Sequence, residues 1–196
     1  YYGILPLSVS HEGYAQPGKH SYWDDFWALK GWRDGAVLAQ AAGRSDLVPW
    51  METEGADLRR CLLRSIELTQ KDKQVPFIPG CADLGDFDAS ATSIAVWPTE
   101  EFTNLPPDEL RLTMDKYYEE VLTPRMAGQA DPTSGYVPYE MRLGTAFLIA
   151  GQKKEAWVLT RHFLGVTRPH GWNHWAEVVY GNERTPGYIG DMPHSW

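Results

Sequence analysis

Apolar residues recur along the chain with the helical period, and polar stretches rich in breakers separate them, which predicts helix pairs joined by long loops. Residues 21–43, "SYWDDFWALKGWRDGAVLAQAAG", open on Ser21 as a cap and carry Asp24 and Asp25 in the first turn. Phe26, Leu29, Val37 and Leu38 are the apolar positions, and Gly43 is the stop. Residues 45–73 place Leu58, Leu62, Leu63, Ile66 and Leu68 at helical spacing after a start blurred by Pro49 and Gly55. This second helix is expected to pack back on the first.

The next stretch, "VPFIPGCADLGDFDAS", is a loop of breakers and carboxylates. It leads into "ATSIAVW", read as a short helix ended by Pro98, although Ile94 and Val96 suit a strand as well. "LPPDELRLTMDKYYEEVL" begins on prolines, where a missing N–H costs nothing, and puts Leu110, Met114, Tyr117 and Val121 on one helical face. After the turn "DPTSG", two helices, "YVPYEMRLGTAFLIAG" and "QKKEAWVLTRHFLGV", meet at Gly151 as a hairpin. From Arg168 to Trp196 no period survives, and the tail reads as a long ordered loop that carries function. The expected class is all-α, with stacked helical hairpins in a single domain spanning 1–196.

Charge and composition narrow the partners. A net charge of -8 without any Lys/Arg cluster argues against nucleic acid, whose binding depends on cationic contacts. No apolar run approaches the roughly 18 residues of a membrane span, so no membrane partner is expected. The chain starts at Tyr1 without a leader or an initiator methionine, so a processed product or an excised piece is expected and the compartment, cytoplasmic or exported, stays open. Cys61 and Cys81 read as two buried thiols. The 9 Trp and 10 Tyr fall largely in loops and helix ends beside Asp, Glu, His and Asn, a distribution that suggests ligand contact.

The densest chemistry is "GWNHWAE", residues 171–177, with two indoles, an amide, an imidazole and a carboxylate. Flat aromatic faces cover the apolar face of a sugar while amides and carboxylates bind its hydroxyls. A glutamate in that setting that holds a water against an anomeric carbon is the general base of an inverting glycosidase, and it needs a second carboxyl as acid.

The order of motifs resembles the catalytic domain of the six-hairpin glycosidases, the (α/α)6 toroids that include glucoamylases, trehalases and processing glucosidases. "DASATSIAVWPTEEFTNLPPDELRLTMDKY" is similar to the bacterial glucoamylase pattern of an Asp-Ala-Ser opening an apolar helix, a Pro ending it and a Pro-Asp pair starting the next. "GTAFLIAGQKKEAWVLTRHFL" resembles that family's following hairpin, and "QPGKHSYWDDFW" resembles the first trehalase signature. The resemblance implies an incomplete toroid, since about six or seven helices stand where the family has twelve. The remaining part of the ring, or another chain, is then an expected partner.

It further implies hydrolysis of an O-glycosidic bond in an oligosaccharide or glycoside, with inversion and with no cofactor. Glu177 takes the position of the base. For the acid, Glu12 stands ten residues before Tyr22, the interval of the glucoamylase pattern, and Asp24 or Asp25 is the rival. Tyr22, Trp23, Trp172 and Trp175 would stack on or enclose the sugar, Asn173 and Asp25 would bind hydroxyls, and Asp191 and His194 would border the same site.

Other readings remain beside this one. Asp24 and Asp25 in a first turn also serve the helix macrodipole without any catalytic purpose. His170, His174 and Glu177 form an H-x3-H-x2-E run, but the helical zinc motif has Glu directly after its first His, where Gly171 stands. Asp83, Asp86 and Asp88 do not match an EF-hand loop, and capping by Asp88 with loop hydrogen bonds is the expectation there. A terpenoid-type magnesium site at Asp24 and Asp25 lacks its second aspartate, because Ala28 falls in that place. A non-catalytic sugar-binding or scaffold domain is the alternative from another functional class.

Overall fold

The computed structural model describes residues 3–9, 14, 16–129, 135–136, 138–165, 171 and 173–180. The chain is mostly helical, an all-α fold whose strand content among the described residues is one two-residue pairing. It divides into two compact units, Tyr1–Thr113 and Met114–Trp196.

The first unit is built on a helical hairpin. Helix α1, Tyr22–Ala41, starts at Ser21 in extended backbone, although the Ser21 hydroxyl makes no capping bond. It ends where Gly43 takes a φ of +72°, a left-handed turn that glycine adopts freely. A 3-10 turn, Ser45–Leu47, leads into α2, Val48–Lys73, with Pro49 in the first turn, where the absent N–H is tolerated. The pair is antiparallel, as expected: Tyr22 at the start of α1 bonds Ser65 and Thr69 near the end of α2. Gly55, which blurred the helix start in the sequence, lies inside α2 at a close approach, since a Cβ there would sit 3.2 Å from the Cβ of Trp32.

Helix α3, Ala89–Val96, is buried at seven of its eight positions. That all-round burial explains why "ATSIAVW" shows no polar face and reads as helix or strand equally. Asp88 accepts a hydrogen bond from the Ala91 N–H at 2.9 Å, the cap expected of it. Around these helices Phe26, Leu29, Leu62, Ile66, Ile78 and Ile94 form the interior of the unit.

The long helix expected from Leu105 to Leu122 is broken in type. Helix α4, Pro107–Tyr117, passes into a π-helical turn, Tyr118–Leu122, and then α5, Thr123–Met126. The cause is Pro124, which has no N–H for the Glu120 carbonyl, and the Thr123 N–H bonds five residues back to Tyr118.

The segment from Tyr136 also departs from expectation. Gly135–Tyr136 (β1) pairs antiparallel with Val179–Tyr180 (β2), Pro138–Arg142 is a 3-10 turn, and only Leu143–Ile149 is α-helix (α6). Pro138 cannot donate to a preceding turn, so the α-helical period starts after it. Gly151, at φ +80°, turns the chain into α7, Lys153–Gly165, completing the expected hairpin. Leu143, Phe147, Leu159 and Phe163 are the large buried residues of the hairpin, and Leu122 of the π-helical turn is buried as well. No helix among the described residues is long and apolar enough to cross a membrane.

Candidate active site

The first turn of α1 sends its two carboxylates into different surroundings. Tyr22, Asp25, Phe26 and Leu29 follow the i, i+3, i+4, i+7 spacing, so Asp25 lies on the apolar stripe and is fully enclosed. Its Oδ1 accepts the Leu5 N–H at 2.9 Å, and its Oδ2 is buried with no hydrogen-bond partner. Burial pushes the carboxyl up to about 7; the Leu5 N–H opposes the shift and the neighbouring Asp24 charge adds to it. Asp24, half-buried, accepts from the Ser8 hydroxyl.

Both carboxylates are thus held by the chain from Gly3 to Val9. That segment is anchored further by reciprocal backbone bonds between Ser8 and Lys19, at 3.0 and 2.9 Å. A Cβ at Gly18 would come 2.4 Å from the Ser8 carbonyl, so glycine is required for this approach. Reasoning from sequence missed the role of the segment, because nothing in "GILPLSV" advertises an N–H bound for a side chain twenty residues on.

Tyr22 and Trp23, read in the sequence as sugar-stacking rings, are interior rings in this structure. The Tyr22 hydroxyl is shared between Ser65 and Thr69, each at 2.9 Å, and burial pushes it up to about 12. Trp23 is 6% exposed and meets Trp27 edge-on at 6.3 Å.

The loop before α3 is a polar cluster. Asp83 accepts from the His20 backbone N–H at 2.7 Å and lies 3.2 Å from His20 Nδ1. Asp86 accepts from the Tyr14 hydroxyl at 2.7 Å and the Cys81 thiol at 3.2 Å. Burial pushes the Cys81 thiol up to about 11, so it is unreactive near neutral pH. A cavity of about 710 Å³ adjoins the cluster, lined by Ser65, Thr69, Lys71, Asp72, Lys73 and Asp83. No group of His, Cys, Asp and Glu among the described residues is arranged to hold a metal ion.

In the second unit Trp175 is fixed by its indole N–H, which donates to the Phe163 carbonyl at 2.9 Å. Ala176 is fully buried, and Glu177 follows it half-exposed, two residues before β2. Asn173 is exposed at φ +54°, a conformation asparagine tolerates better than most residues. Glu12, Trp172, Asp191 and His194 lie outside the described residues.

Sequence reasoning passed over two further buried carboxylates, Glu101 and Glu140. Glu140 accepts from the Tyr117 hydroxyl at 2.5 Å and from Arg125 Nη1 at 2.9 Å. Burial and that carboxylate drive the Tyr117 hydroxyl far above its ordinary value. Tyr117 on the last turn of α4 is thereby tied to α5 and to the 3-10 turn, which holds the π-helical turn in place.

Compared with family models, with curated proteins and with solved structures, the chain matches none.

Proposed function

We propose that the chain is a glycoside hydrolase that cleaves an O-glycosidic bond with inversion, using carboxyl groups as acid and base. The single observation that carries this reading is Asp25, a carboxyl whose burial keeps it protonated up to about 7 beside a second carboxyl, Asp24. A general acid must hold its proton at working pH and release it to a leaving oxygen, and enzymes meet that need by desolvating a carboxyl. The proposal therefore gives the acid role, for which Glu12 was the first candidate in sequence and Asp24 or Asp25 the rival, to the Asp24–Asp25 pair. Asp25 is enclosed under the Gly3–Val9 segment, so in this reading substrate reaches it when the Leu5 N–H lets go.

The base is assigned to Glu177 on the character of its own loop, in which Trp175 is pinned and Asn173 is presented to solvent. A carboxylate there takes a proton from water without any cofactor.

The test is hydrolysis of a panel of aryl glycosides and natural disaccharides, with the product anomer followed by NMR. Turnover giving the inverted anomer is expected, and Glu177→Gln should lower kcat by about 10²–10⁴ while changing sugar affinity little. Sugar binding without turnover at any pH would overturn the proposal in favour of a non-catalytic binding domain.

A further inference from the structure

Residues 3–9 cross the start of α1 as an arm whose two parts are held very differently. Among the described residues, the Leu5 N–H to Asp25 Oδ1 is the only hydrogen bond that residues 3–7 make. Pro6 has no N–H to offer, and Leu7 stands 57% exposed. At Ser8 the two backbone bonds to Lys19 and the close seat of Gly18 against the Ser8 carbonyl pin the chain, and neither bond involves Asp25. The arm is therefore hinged at Ser8 and fastened beyond it by one carboxyl.

That fastening suits an uncharged Asp25. Under the arm the side chain is fully enclosed, and Oδ2 has no hydrogen-bond partner. One N–H does not replace the several bonds that water gives an ionised carboxylate, so burial keeps the proton on up to about 7. With the arm lifted, water reaches both oxygens and the carboxyl returns toward its ordinary value of about 4. Closing therefore takes up a proton: the closed arm is favoured fully below about pH 4, less as pH rises, and least above about 7. The surroundings hold no rival for this part. The Asp24 charge adds to the hold on the proton, while Tyr22, toward α2, and Cys81, in the loop bridged to Ser21, keep their own protons up to about 12 and about 11. Cys61 of α2 lies under Gly3, and neither α3 nor residues 3–9 carry a titratable side chain.

We propose that residues 3–7 are a proton-operated latch over the first turn of α1, hinged at Ser8, closed on the protonated Asp25 carboxyl and released when that carboxyl ionises. The latch governs access to Asp25 and does not depend on the chain being a hydrolase. A sugar seated in place of the arm would exclude water as the arm does, so Asp25 keeps its proton under either cover and loses it only when bare.

The test is amide hydrogen exchange of the native chain from pH 4 to 8, each rate divided by its intrinsic value at that pH. The Leu5 amide should lose protection by up to about tenfold per pH unit between about pH 4 and 7 and level off above, while the Ser8 and Lys19 amides keep theirs. Dilute urea should leave the Leu5 rate unchanged and speed the Leu62 and Ile66 amides of α2, which marks the opening as local. Asp25→Asn gives the Leu5 N–H an acceptor that never ionises, so its protection should be level across the range. Gly3→Cys supplies an independent lock, because a Cβ there lies 3.5 Å from the Cys61 Cβ, within the span of about 3.5–4.5 Å that a disulfide bridges. Oxidised, this variant should keep Leu5 protected at pH 8, and reduction should release it. Leu5 protection that is level in the native chain, that falls together with Ser8 and Lys19, that follows urea as α2 does, that still falls in Asp25→Asn, or that is lost at pH 8 in the oxidised variant overturns the latch. Turnover decides the hydrolase reading separately: pH-dependent opening without turnover removes that reading alone, and turnover with level Leu5 protection removes the latch alone.

Discussion

Glu101 is 2% exposed and lies in the grip of a guanidinium, with both carboxylate oxygens on Arg59 and one also taking the Asn104 amide. Asp25, in the same compact unit, is 0% exposed and has one backbone N–H and an orphan oxygen. Burial by itself lifts both acids. At Glu101 the Arg59 charge and hydrogen bonds win and hold the carboxyl below the ordinary glutamate range, whereas at Asp25 burial wins. Desolvation therefore does not decide what a buried acid is for; its partners do. A paired acid is a fastener. An acid left short of partners keeps a proton, and this contrast is why the proposed hydrolase reading rests on Asp25.

The contrast is broken most directly through turnover. Asp25→Asn should lower kcat for a glycoside by about 10²–10⁴, and Glu101→Gln should leave kcat within a few-fold in whatever protein remains folded. Equal losses in kcat from both would erase the distinction. The next largest effect is on stability against pH. Asp25 has a folded value near 7, above its unfolded value near 4, so the native state binds the extra proton between those limits. Its contribution is fully present below about pH 4, falls as pH rises, and is lost by about pH 7, an upper bound of about 4 kcal/mol. Urea midpoints measured from pH 4 to 8 should fall with this slope in the native chain, and Asp25→Asn should flatten it. Glu101 acts with the opposite sign, losing its stabilisation only as pH drops below the ordinary glutamate range.

Arg59→Met sharpens the other side of the comparison. It strands Glu101 without its cation and should cost about 3 kcal/mol by urea unfolding, the low end for a broken buried pair because Arg59 is itself 32% exposed. The smallest effect is that of Asp24→Asn, which removes the charge that adds to the Asp25 shift and should lower the midpoint of the Asp25 carboxyl resonance by less than about one pH unit.

Much of the fold was legible because it is written in local period and punctuation. Ser21 and Gly43 bracket α1, and Gly151 marks the α6–α7 turn, each by its own backbone preference. The misreadings fall at prolines: Pro124 turns an expected continuous helix into α, π and α, and Pro138 delays α6. The site was legible only in outline. That Asp25 sits inward and Asp24 outward is encoded in the spacing of Tyr22, Asp25, Phe26 and Leu29, a stripe that a first-turn acid disguises as a dipole effect. The Leu5 N–H that meets Asp25, and the spending of the Tyr22 hydroxyl on Ser65 and Thr69, depend on contacts across 20 to 47 residues, and no local pattern reports those.

The clasp that pairs Glu101 with Arg59 has a further consequence for how the protein breathes. The stretch after α3 is loop in form, yet the Thr99 and Glu101 N–H groups bond back to Ile94 and Ala95, the Thr99 carbonyl takes Arg33, and Glu101 takes Arg59. Arg33 belongs to α1 and Arg59 to α2. Opening this loop therefore means letting go of both helices of the hairpin at once, so residues 97–104 are expected to open together with the two longest helices, and the Thr99 and Glu101 amides to exchange as slowly as those of the core.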